Sequence, residues 1–218
     1  GAASAAPCAL DRTFAHASVP GMASSFSMLQ IINAALVAQG QYPIDTNDGS
    51  DEWELLSRNW PLIVEAELED GAYQFSKQQF SLLTRIDGKF GYDDGYTLPL
   101  TILHVRELWT EDTAGVRDYI DWTQDGAAVY VDHDSGVFVE GVIVAQEDLW
   151  SANFSRGVQM KLEALILRAL KEEETSAARM EMQAEVHFER ARAISSKSRS
   201  ATSPFMRGQI ATARFRRG

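Results

Sequence analysis

Histidines and carboxylates are the side chains of this sequence that acid–base catalysis or metal binding would use. The 218 residues include only four histidines, and none falls in a zinc-binding spacing such as HExxH: His16, His104, His133 and His187. His187 falls on the apolar side of a predicted helix, which favours a core or interface residue over a metal ligand. Acidic pairs such as Asp93-Asp94 fall at predicted turns and indicate solvated positions.

Two glycine-containing stretches are the remaining candidates for binding an ion or a phosphate. DHDSG (132–136) is similar to the start of a calcium loop, but its glycine comes one position early and no acid stands at the twelfth position. GKFGYDDGY (88–96) lacks the GxxxxGK[ST] arrangement of a phosphate loop. We therefore predict turns at both places, with no catalytic residue, no metal site and no cofactor.

Charge is distributed very unevenly along the chain. The formal net charge is −11, yet the last sixteen residues, SPFMRGQIATARFRRG (203–218), contain four arginines and no acid. Of the residues before position 195, 31 are acidic and 14 are basic, which gives this part a charge of −17. A basic arm favours nucleic acid, whereas an acidic body repels it, so both features need one explanation.

The composition is typical of an ordinary globular protein, with 45% hydrophobic residues. The single cysteine, Cys8, excludes a disulfide within the chain and gives no sign of an oxidising compartment. No apolar run approaches the roughly 18 to 20 residues that span a bilayer, and the first residues lack the pattern of a signal peptide. We expect a soluble, unexported protein that does not contact a membrane.

Apolar residues recur at helical spacing in four segments. The first helix is predicted from about Ser25 to Gln39, and the second from about Asp51 to Glu69 as two collinear pieces that meet at Pro61. The third is predicted over about 147–173, with Gly157 as a weak point or bend, and the fourth begins at a cap on Thr175 or Ser176. Its predicted buried stripe comprises Ala177, Met180, Ala184, His187, Phe188, Ala191 and Ile194.

Between these helices, residues 71–145 alternate turn pairs with short β-rich runs, which is typical of antiparallel hairpins. The predicted turns are Asp87-Gly88, Asp94-Gly95, Asp125-Gly126 and Ser135-Gly136, and the runs include DYIDW and VFVEGVIVA. The fold class is therefore α+β: an antiparallel bundle of about four helices with an inserted small antiparallel β domain and extended terminal arms. The expected divisions are an N-terminal arm (1–24), the bundle (25–70 and 146–195), the β domain (71–145) and a basic tail (196–218).

The order of these features resembles the head-to-tail adaptors, or connectors, of tailed bacteriophages and phage-like particles, in particular the tail tubular protein A group. The resemblance covers roughly Ser27 to Gly218. It is carried by the following segments: LQIINAALVAQGQYPI, YQF followed by Lys77, FGYDDGYTLPL, DYIDWTQDGAAVYVD, DLWSANFSRGVQMKLEALILRAL and FERARAISSKSRS. The sequence departs from the family at Tyr73, where a tryptophan is expected, and in its long N-terminal arm.

This resemblance implies a structural virion protein. Twelve copies would form a ring in the neck, between the capsid portal and a downstream tail or nozzle protein, after assembly in the cytoplasm of the host bacterium. The ring would close the packaged head and form the channel through which DNA leaves, without sequence-specific DNA binding. The protein would not be an enzyme.

In the same family the C-terminal tail grips the portal. The resemblance therefore assigns portal binding to the arginines and apolar anchors of this tail: Phe205, Met206, Arg207, Ile210, Arg214, Phe215, Arg216 and Arg217. Two other classes of function stay open at this point. One is a DNA-binding protein that uses the basic tail, and the other is an enzyme whose site the sequence does not reveal.

Overall fold

The computed structural model describes residues 26–111 and 115–197. They form four α-helices and two small antiparallel sheets, which confirms the predicted α+β class. The helices are α1 (Met28–Ala38), α2 (Asp51–Asp70), α3 (Ala152–Leu170) and α4 (Glu174–Lys197). The predicted N-terminal arm and all of the predicted tail beyond Lys197 lie outside the described residues.

Serine caps define where the first three helices begin. Ser27 closes a capping box with Gln30 at the start of α1, and Ser50 and Ser151 accept hydrogen bonds from backbone N–H groups in the first turns of α2 and α3. Each cap satisfies one of the N–H groups that a helix start leaves unpaired. Gly40, with a φ of 74°, follows the end of α1 as predicted.

Three predicted helix boundaries differ from the structure. The second helix is continuous through Pro61, although proline has no N–H to bond the carbonyl of Ser57. The third helix begins at Ala152, after a short 3₁₀ turn at Glu147–Leu149. The fourth begins at Glu174, so Thr175 and Ser176 lie inside its first turn rather than at its cap.

The eight strands all lie between α2 and α3 in the chain, and a 3₁₀ turn at Gln74–Ser76 leads into them. They are β1 (Lys77–Leu82), β2 (Arg85–Asp87), β3 (Asp94–Thr97), β4 (Ile102–Glu111), β5 (Arg117–Tyr119), β6 (Thr123–Asp125), β7 (Ala128–Val131) and β8 (Val137–Ile143). One sheet has the order β1-β8-β4-β5 and the other β2-β3-β7-β6, with antiparallel pairing throughout.

The hairpin signals hold at three of the four predicted turns. Gly126 and Gly136 have positive φ angles between β6 and β7 and between β7 and β8, and Gly88 follows β2. Asp94-Gly95 is not a turn but the start of the buried strand β3. A Cβ on Gly95 would lie 2.8 Å from Cδ1 of Tyr130, so the glycine serves close packing rather than chain reversal. DYIDW is likewise not one strand, since β5 ends at Tyr119.

The buried side chains form two main cores. One lies between the two sheets and contains Tyr96 with several valines and leucines. The other lies among the helices and is joined from the sheet side by Val142 of β8. Buried aromatic side chains occur in both of these cores, and Phe90 is exposed. The helical core is the one that positions the C-terminal end of α4.

Candidate functional site

The portal-binding residues predicted from the sequence, Phe205 to Arg217, lie outside the described residues. The structure does describe the surface from which this segment leaves the protein, namely the last turns of α4 up to Lys197. We call residues 191–197 the tail base.

Gly157 of α3 allows α4 to approach closely. A Cβ at this position would lie 2.6 Å from Cε1 of Phe188, much nearer than the roughly 3.5–4.0 Å of an ordinary carbon contact. Phe188 is fully buried, so its ring has no room to move outward. The glycine that the sequence marks as a weak point of the third helix is therefore the place where the two long helices pack together.

Phe154 is the centre of an aromatic cluster that connects α3 with its neighbours. Its ring centroid lies 4.8 Å from those of Tyr73 and Trp150, 5.1 Å from that of Phe75 and 5.6 Å from that of Phe188, all in edge-to-face geometry. Such pairs contribute about 0.5–1.5 kcal/mol each beyond the burial of their area. The cluster joins α4 to the 3₁₀ turn that leads into the first strand.

Arg192 connects the tail base to α2 through a cluster of charges. Its guanidinium lies 2.7 Å from Oε1 of Glu67 and 3.4 Å from Oδ2 of Asp70, and it also pairs with Glu185 of its own helix. The hydroxyl of Tyr73 donates a hydrogen bond to the same Oε1 of Glu67. Arg192 of α4 and Tyr73, just after α2, therefore both bond one partly buried carboxylate, whose side chain is 10% exposed.

The pKa values in this cluster follow from its burial. Burial raises the pKa of Glu67, although Tyr73 and Arg192 both favour the ionised form. Burial, with the bond to Glu67, also raises the pKa of Tyr73, so the phenol keeps its proton as the donor. Sequence analysis misses this cluster, because 125 residues separate Glu67 from Arg192 and no local pattern connects them.

The tail base also contacts the 3₁₀ turn at Gln74–Ser76. The backbone N–H of Gln74 donates a hydrogen bond to Oγ of Ser195. Beside this contact lies a groove of about 340 Å³. We call it the tail-base groove, and it is lined by Gln74, Phe75, Leu149, Ser151, Ala191, Ile194 and Ser195. Ile194, predicted to be buried, is 48% exposed here because α4 extends past the helical core at this point.

His187, predicted in the buried stripe of the fourth helix, is only partly buried and lies at the edge of the α3–α4 contact. Its ring is partly buried, and Nδ1 lies 3.3 Å from Oδ1 of Asn153. Burial lowers its pKa, as do the nearby cations Arg190 and Arg156. The ring is therefore held in the neutral form, as expected for a packing residue.

The other groups considered for chemistry have structural partners. The DHDSG segment forms the turn between β7 and β8, where Oδ1 of Asp132 accepts from the N–H of Asp93. The buried Asp94 accepts from Nε of Arg85 at 2.6 Å, and the buried Glu163 accepts from two glutamine amides. Within residues 26–111 and 115–197, no three acidic, histidine or cysteine side chains are grouped to hold a metal ion.

No protein-family model matches the chain, and no curated protein matches it. Among the residues that the structure describes, no helix combines the length and the apolar character needed to cross a bilayer.

Proposed function

We propose that the protein is a head-to-tail adaptor, which forms a ring of twelve copies between portal and tail and provides a channel for DNA. The proposal rests on the resemblance of the sequence to this family. The observation that carries it furthest is the separation of charge along the chain. The described residues include 29 acids and 14 bases, whereas the segment after Lys197 has five arginines and no acid.

An acidic ring wall suits a DNA channel, because a basic wall would bind the phosphate backbone by releasing its counterions. The same acidic surface disfavours the simplest use of the basic tail, which is to add to a DNA-binding face. A tail that alternates arginines with Phe205, Ile210 and Phe215 suits an acidic protein surface with apolar pockets. The portal protein is the partner that the resemblance implies.

Exposed apolar side chains give further support to assembly into a ring. Met182 and Val186 lie one turn apart on α4 and are 74% and 44% exposed, and Leu62 on α2 is 66% exposed. A closed ring of identical subunits needs two different faces that fit each other. Apolar residues on two separate helices are the kind of surface that such an interface would bury.

Electron microscopy of the purified protein, alone and mixed with portal rings, tests the proposal. We expect rings with a central channel that dock on the portal, and we expect removal of residues 203–218 to abolish docking while the circular dichroism spectrum is kept. A monomer that ignores portal rings would refute the adaptor function. Undiminished docking after the truncation would refute the role of the tail alone.

DNA binding through the tail is the second candidate, and the cluster of arginines is the observation that favours it. It predicts binding to nonspecific duplex DNA that weakens steeply with salt and disappears when residues 203–218 are removed. The adaptor function predicts no such binding at about 0.15 M salt, because the acidic body repels the duplex. One titration of duplex DNA with the full and truncated chains therefore separates the two.

A further inference from the structure

We propose that the tail-base groove is a docking site for this chain's own C-terminal segment, and that Phe205 and Met206 occupy it in the free subunit. The inference concerns the subunit before it meets any partner, so it does not depend on the proposed role in the virion. It rests on the shape of the groove, on its place in the chain and on the residues that follow.

The groove has the size and the surface to receive two apolar side chains. Its volume is about 340 Å³, and an enclosed cavity of about 150 Å³ is enough to bind benzene. Phe75, Leu149 and Ile194 supply most of its apolar lining, and Leu149 is 59% exposed. Two side chains in the groove would therefore remove apolar surface of both partners from water, which favours docking.

The position of the groove indicates its occupant. Ile194 and Ser195 line it, and the described chain ends two residues later at Lys197. The next seven residues, SRSATSP, contain no large apolar side chain, so Phe205 and Met206 are the first that follow. Seven residues span up to about 24 Å when extended, which is enough for the chain to turn back into the groove.

Charge around the groove agrees with this occupant. Leu149 belongs to the 3₁₀ turn Glu147–Leu149, so two carboxylates, Glu147 and Asp148, precede it directly. In the tail, Arg207 directly follows Met206. A segment whose apolar pair enters the groove would place its arginine beside an acidic turn, where a charge-assisted hydrogen bond can form.

Docking within the same chain is favoured over docking between copies because the segment is tethered beside the groove. A short tether gives an effective concentration of the order of millimolar, well above the micromolar concentration of a second copy in solution. A partner that takes up the tail must first displace it from the groove. The free subunit would thus keep its most apolar tail residues covered until a partner competes for them.

Amide hydrogen exchange read by mass spectrometry tests the proposal on the full chain. We compare the unchanged protein with the double variant F205S/M206S, and use F215S as the control for losing an aromatic residue elsewhere in the tail. If the effective concentration exceeds the dissociation constant of the free segment about fivefold, docking would slow exchange in 147–151 and 191–197 by about the same factor. We expect the double variant to lose this protection and F215S to keep it.

A second pair of variants tests the groove itself. I194K removes an apolar side chain from the groove and adds a positive charge that repels the basic segment. A lysine near the C-terminal end of a helix interacts favourably with the helix dipole, so the variant should still fold. A178K is the matched control, since Ala178 is exposed on the same helix and does not line the groove. I194K should speed exchange in 147–151 about fivefold, and A178K should not. Equal exchange in all variants would overturn the proposal, as would protection that rises with protein concentration, which would indicate the tail of a second copy.

Discussion

Replacing Gly157 with alanine should destabilise the protein, although alanine is the better helix former. In an exposed helix interior the same change stabilises by about 1 kcal/mol. Here the added methyl group would lie 2.6, 2.7 and 2.9 Å from three ring carbons of Phe188. The sign of the effect therefore depends on whether the Phe188 ring can give way.

The surroundings of Phe188 indicate that it cannot. Its ring is 0% exposed and packs edge-to-face on Phe154 with a centroid distance of 5.6 Å. Restoring ordinary contact would need a shift of about 1 Å in a close-packed interior, and overpacking of this kind costs typically about 1–3 kcal/mol. The better helix propensity of alanine offsets about 1 kcal/mol of a cost in the upper part of this range. We therefore expect the free energy of unfolding to fall by about 1–2 kcal/mol.

Urea unfolding followed by circular dichroism gives the free energy of unfolding of G157A. The matched control is the same substitution in an F188L background, where the shorter side chain leaves room for the methyl group. There we expect G157A to be neutral or stabilising, so that the double-mutant cycle yields a coupling of at least about 1 kcal/mol. A stabilising G157A in the unchanged background, or a coupling near zero, would refute the close α3–α4 contact.

Two further substitutions test the surroundings of the tail base. R192A leaves Glu67 without its main cation and should lower the free energy of unfolding by about 2 kcal/mol, which is less than for a fully buried pair because both groups keep some contact with solvent. The control R58A breaks an exposed pair and should leave the urea midpoint unchanged. Equal urea midpoints for the two variants would contradict the role of the Glu67 cluster. The lowered pKa of His187 means that the unfolded chain takes up a proton first, so stability falls as the pH drops below about 6.5. H187Q should flatten this fall between pH 7 and pH 5. The control Q183A, an exposed position on the same helix with no titrating group, should not, and equal slopes would rule out the effect.

The fold class could be predicted because it depends on local periodicity. The apolar spacing in the segments that become α1 and α2 is regular, and Leu56, Trp60, Val64 and Leu68 are buried as the pattern requires. The turn at Asp125-Gly126 follows from local chemistry in the same way. Asp94-Gly95 failed as a turn because packing against Tyr130 outweighed the propensity of an isolated dipeptide.

The tail base could be predicted only in part. The buried stripe of α4 is right for Ala177, Ala184, Phe188 and Ala191, which repeat at helical spacing. Ile194 is exposed because α4 extends beyond the helices on which it packs. The apolar periodicity of a sequence does not predict the length of a helix relative to its neighbours. The charges around Glu67 come from α2 and α4, which are brought together only by the complete chain fold.

The contacts that hold the tail base are mostly buried, whereas contacts of the tail arginines would be exposed, so the two respond differently to salt. Arg192 is 26% exposed and Glu67 10%, and Phe154 and Phe188 are fully buried, so added salt screens these contacts only weakly. Contacts of the tail arginines with an acidic partner would lie at an exposed surface, where a Debye length near 8 Å at physiological salt screens them strongly. Because of this contrast, added salt would weaken contacts of the tail arginines without loosening the helix that carries the tail. A bundle in which α4 was held by surface charges alone would lose its tail base at the same salt concentration.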